Sequence, residues 1–160
     1  MELSEIMAAF GAEIGIADLS ADEDGAYAVD IDGMVVSFAE DREGGRLVTF
    51  AEVGEPPQEG REHFYRFLLE TMHRGDATGG ATFTVSPESG TVCLRRSDPL
   101  APLTPAGFGT MLESFVNVLE DWRKTIVEFR DVIPAVDSAK RDAVAEIRQL
   151  GLGADGFVQV

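Results

Sequence analysis

Apolar residues recur along this chain at two periods, and each change of period marks an element. Leu3, Ile6, Met7, Phe10 and Ile14 fall three or four apart, with Ser4, Glu5 and Glu13 off the stripe. That spacing predicts an amphipathic helix, and Gly15 is placed to end it. Between residues 26 and 39 the period drops to two. Asp32-Gly33 in the middle is a strong hairpin signal, because a type I′ turn needs positive φ at both central residues. The register that follows puts Ile31 opposite Met34, Val29 opposite Val36 and Tyr27 opposite Phe38, all on one bulky face. The other face then carries smaller, mixed residues such as Ala28, Asp30, Val35 and Ser37. A third strand is expected over 46–53, with Val48 and Phe50 on the bulky face and Leu47, Thr49 and Ala51 on the other.

A loop rich in glycine and proline over 54–60 precedes a second helix over 61–74, whose apolar side holds Phe64, Phe67, Leu68 and Met72. A second hairpin follows, with Phe83 and Val85 opposite Leu94 and Val92 across a turn at 87–90. Thr104-Pro105 then combines an N-cap with proline at the first helical position. The stripe it opens runs from Phe108 through Phe115 and Trp122 to Phe129, about 40 Å of helix over 104–130. That is long for so small a domain and suggests an apolar face shared with a second chain. Pro134 is expected to end it, and Val144, Ile147 and Leu150 to mark a last helix over 137–150. The whole reads as an α+β single domain, in the order α-β-β-β-α-β-β-α with an antiparallel sheet packed by helices. Residues 1–130 form the domain, and 131–160 a C-terminal helical extension and tail.

Charge narrows the partners. Among 160 residues, Asp+Glu number 29 against Lys+Arg 13, a formal net charge of −16. Residues 1–62 alone hold 16 acids and 3 bases. Such a surface repels nucleic-acid phosphates and anionic membranes. No apolar run approaches the roughly 18 residues of a membrane span, and the first ten residues lack the bases that open a secretory signal. Cys93 is alone, which excludes an intrachain disulfide and a cysteine zinc site. A soluble cytoplasmic protein is expected.

Candidate chemistry is thin. Gly151-Leu-Gly-Ala-Asp-Gly156 spells a dinucleotide motif but follows a helix rather than a strand, so a helix cap and tail is the plainer reading. Ser20, Asp22 and Asp24 before Gly25 suit a calcium loop, yet its twelfth position is Ile31 where a bidentate Glu is required. His63 and His73 sit ten residues apart on one helix and point about 80° apart. Asp30 and Asp32 share a strand face by geometry alone; as an acid pair they are the only opening for a hydrolase reading. No catalytic residue, metal ligand or cofactor is assigned.

The order of elements, with certain motifs, resembles the type III secretion chaperones of the Tir chaperone (CesT) family, the class serving effectors. The motifs are Asp22-Glu-Asp-Gly25, Asp30-Ile-Asp-Gly33, Phe67-Leu-Leu-Glu70, Thr78-Gly-Gly-Ala81, Glu88-Ser-Gly90, Asp98-Pro-Leu100, Leu112-Glu-Ser-Phe-Val116 and Asp121-Trp122. They run in family order over some three quarters of the chain; Met72-His73 departs from it, standing where an asparagine is usual. The resemblance implies a non-enzymatic, cofactor-free homodimer. It would hold the N-terminal segment of a secreted effector in extended form and help deliver it to the export apparatus. A regulatory protein of the YbjN-like kind on the same general fold is the alternative. For the client, Phe10, Ile14, Val35, Leu47, Thr49 and Ala51 are the candidate contacts; for the dimer, Phe64, Phe67, Val92 and Leu94.

Overall fold

The computed structural model describes residues 2–16, 19–41 and 45–149. Its elements come in the expected order: α1 (Leu3–Ile14), β1 (Tyr27–Ile31), β2 (Met34–Asp41), β3 (Arg46–Gly54), α2 (Arg61–Arg74), β4 (Thr82–Val85), β5 (Val92–Pro99) and α3 (Pro105–Gln149). The local signals act as expected. Gly15 closes α1 in the left-handed region, at φ 78°. Asp32 and Gly33 turn the first hairpin with φ of 52° and 78°, and the Asp30 carboxylate accepts the Gly33 N–H at 2.8 Å. Thr104 Oγ1 accepts the Gly107 N–H at 3.1 Å, capping α3.

The strands form one antiparallel sheet in the order β1-β2-β3-β5-β4. The first hairpin has the expected register, Tyr27 to Phe38 and Ile31 to Met34, and so does the second, Phe83 to Leu94 and Val85 to Val92. The connection through α2 sets β5, not β4, against β3.

Helix α3 is the spine of the core. Its Phe108, Met111, Phe115, Leu119, Trp122 and Ile126 are all buried. At one end Phe108 meets Phe10 of α1 and Phe38 of β2 edge-on, with ring centroids 5.0 and 5.2 Å apart. At the other end Phe129 lies 5.3 Å from Phe64 and 5.2 Å from Phe67, while Trp122 meets Phe83 at 4.8 Å. Trp122 Nε1 also donates to the Ala77 carbonyl at 3.0 Å, tying α3 to the loop before β4.

Two expectations are corrected here. The faces of β3 are reversed: Ala51 pairs with Val36 and Thr49 with Phe38, so Leu47, Thr49 and Ala51 join the bulky face and are buried. Val48 and Phe50 therefore lie on the opposite face, by strict alternation. The second correction concerns Pro134, which does not end α3. The helix runs unbroken from Pro105 to Gln149, and the helix expected over 137–150 is its continuation. Proline removes one backbone donor and strains one turn, which bends a helix without ending it when the turns on both sides are satisfied. The boundary expected at residue 130 thus falls inside α3. The glycine motif at 151–156 lies outside the described residues.

Candidate partner-binding site

Reversing β3 rebuilds the outer face of the sheet. Three cross-strand rows can be followed through the pairings. Ala28, Ser37, Phe50, Arg95 and Thr82 form the middle row. Asp30 and Val35 form one flank, continued by Glu52 and Cys93; Ala39, Val48 and Ser97 form the other. Apolar side chains stand open to solvent here: Val35 is 56% and Phe50 40% exposed. Both are β-formers placed by the pleat. They are the exposed large apolar side chains of this face among the described residues.

Val35, Ser37, Phe50 and Glu52 line a cleft of about 320 Å³ that Gly33 and Arg123 close at the turn end. Arg123 reaches there from α3 and donates to the Gly33 carbonyl at 3.4 Å. The cleft thus offers an apolar floor, a carboxylate and a guanidinium, enough to orient a peptide by both side-chain and charge. Beside it, β1 ends the sheet, so its outer N–H and C=O groups can take an added strand. Cys93, on the same face, is a half-buried free thiol. Burial pushes its pKa up, and the negative charge of Glu52 adds to the shift.

The expected client contacts divide. Ile14 at the end of α1 and Val35 on β2 are exposed, as a contact residue must be. Phe10, Leu47, Thr49 and Ala51 are enclosed in the core, where Thr49 Oγ1 approaches Met111 Sδ at 3.9 Å. Phe50 was missed. Its parity with Arg46 and Glu52, both polar, was the signal that could have placed it outward. Of the expected dimer residues, Phe64, Val92 and Leu94 are buried within the protomer and Phe67 is half-buried against Trp122 and Phe129. Leu69 of α2 and Val85 of β4 are the large apolar residues those elements leave exposed.

The Asp22 carboxylate accepts the N–H groups of Asp24 and Ala26 at 3.0 and 2.9 Å, so the acidic stretch is a hydrogen-bonded turn leading into β1. His63 and His73 are both exposed on α2. Among the described residues, no group of three His, Cys, Asp or Glu side chains is placed to hold a metal ion.

The model of the Tir chaperone protein (CesT) family matches residues 5–123. The chain belongs to that family. The match takes in the whole sheet and ends within α3, so the rest of α3 lies beyond it. Among solved structures, this CesT-family chain is similar to the ExsC-ExsE complex, at 26% identity and TM-score 0.67, covering 79% of this chain and 97% of that one. The HopA1-SchA chaperone-effector complex shares the fold at 15% identity and TM-score 0.60, covering 76% and 92%. So does the Yersinia pestis type III secretion chaperone SycH in complex with a stable fragment of YscM2, at 21% identity and TM-score 0.58, covering 74% and 98%. No curated protein matches the sequence.

Proposed function

We propose that this CesT-family protein is a cytoplasmic type III secretion chaperone. It binds the N-terminal segment of a secreted effector in extended form, keeps that segment export-competent and catalyses nothing. The observation that carries the reading is the open outer face of the sheet, where Val35 and Phe50 are exposed; β1 is one edge strand of that sheet among the described residues. An extended segment can use this sheet in either of two ways: its backbone can bond to the β1 edge, or its side chains can lie across the apolar centre of the face. A client held this way never forms its own core, which export requires. The solved complexes with the same fold include one described as chaperone with effector and one of a secretion chaperone with a fragment of another protein. Those descriptions support an effector partner over a purely regulatory role.

The protein works as a homodimer. Leu69 and Val85 stand on α2 and β4, which pack side by side, and they offer the apolar surface for it. Phe64, Phe67, Val92 and Leu94 support that surface from within. The test is deletion of the gene from its host with the secreted proteins compared. Loss of one effector from the medium, restored by returning the gene, is expected, and that effector's N-terminal segment should co-purify with the protein. Unchanged secretion of every effector would sink the reading.

A further inference from the structure

Most bases of the described residues have a local partner. Arg66 pairs with Glu70, Arg96 with Asp98 and Lys124 with Glu120, while Arg46 and Arg61 bond to the Ser97 hydroxyl and the Pro57 carbonyl. Two exposed arginines at the outer sheet face differ. Among the described residues neither Arg95 nor Arg123 has an ion-pair partner, in a chain with 29 acids and 13 bases. Both stand beside the open apolar centre: Arg95 is the cross-strand partner of Phe50, and Arg123 lines the cleft with Phe50 and Val35.

The acids near Arg123 are engaged elsewhere. Glu120, three residues before it on α3, holds Lys124 at 2.9 Å, and the Asp30 carboxylate takes the Gly33 N–H at 2.8 Å. Arg123 uses one N–H on the Gly33 carbonyl at 3.4 Å, a long contact for a group that carries five such donors. The rest of its planar fork is open, and that fork matches a carboxylate in both charge and geometry. Glu52 lines the same cleft and repels an acid placed over it, so the carboxylate is confined to the Gly33 end. From Gly33 to Arg95 is two strand steps across the sheet and four residues along it, roughly 17 Å. An extended segment crosses that span in about five residues, and side chains on one of its faces recur every two.

We propose that Arg123 and Arg95 select, in an extended client segment, an apolar residue flanked by two carboxylates about four or six residues apart. The apolar side chain fills the cleft over Val35 and Phe50, one carboxylate takes the Arg123 fork and the other reaches Arg95. The inference rests on the open sheet face being the client site. It acts at contact range only: the acidic body still draws a basic client from a distance, and the two arginines discriminate among the clients that arrive.

The test is selection of phage-displayed random peptides on the full-length protein. Peptides that bind the parent but not a Val35→Asp, Phe50→Asp variant report this face and are retained. They are expected to carry Asp or Glu on either side of an apolar residue. Arg123→Glu, with its fold checked by circular dichroism, is expected to weaken them by at least about tenfold, and changing one peptide acid to Lys to restore binding. Arg95→Glu is expected to do the same through the other acid. Face-dependent peptides without acids, or with affinities that neither arginine variant changes, would overturn the inference and leave the sheet face as the client site. No face-dependent peptide at all would overturn both.

Discussion

Thr49 and Phe50 show how much one position of register decides. Thr49 is buried under Met111, whereas Phe50, next in sequence, faces solvent. Size alone argues for the opposite arrangement, and it outweighs the weaker hint that Phe50 shares its parity with the charged Arg46 and Glu52. The pairing of Ala51 with Val36 decides between the two arrangements, and that is a tertiary fact. Leu47→Ala is therefore expected to lower stability by about 2–5 kcal/mol, as for a fully enclosed leucine. Val35→Ser, on the open face, is expected to stay within about 0.5 kcal/mol of the parent. Urea unfolding of both variants checks the pair. Cys93 supplies a second residue-scale prediction. Burial first, and then the charge of Glu52, disfavour the thiolate, so the thiol titrates above its ordinary range. Glu52→Gln removes the second cause, lowers the thiol pKa and raises the thiolate fraction at any fixed pH below it. Alkylation of Cys93 in that variant should be faster than in the parent at the same pH.

At the scale of elements, the hairpins were legible because their turns carry their own geometry. Asp32-Gly33 needs no tertiary partner to choose its conformation. The caps at Gly15 and Thr104 were legible for the same reason. The order of the strands was not, because nothing local states that β5 rather than β4 will lie against β3. Pro134 misled in the other direction, a strong local signal outweighed by the helix on both sides of it. If it sits in helix at the expense of one hydrogen bond, Pro134→Ala should raise both helix content and thermal stability, by up to about 3 kcal/mol. Circular dichroism during a thermal melt would show it. An unchanged or lower melting temperature would mean that the proline is needed where it stands.

For the whole molecule, the fold class and family were readable from ordered motifs, but the binding face was not, since it depends on the parity of one strand. Charge adds a kinetic expectation. With −16 overall, and most of it in the first 62 residues that supply β1 to β3, a basic client should be drawn to the open face. Its association rate constant is expected to fall by about tenfold or more as salt shortens the screening length from about 10 Å to a few ångströms. Stopped-flow mixing over a salt series measures this. The most direct measurement is the affinity of the client's N-terminal segment for the parent and for a Val35→Asp, Phe50→Asp double variant, titrated side by side. Binding weaker by at least about tenfold, with the unfolding transition unchanged, is the expected result. Equal affinity in the two proteins would place the client elsewhere and contradict the open sheet face as its site.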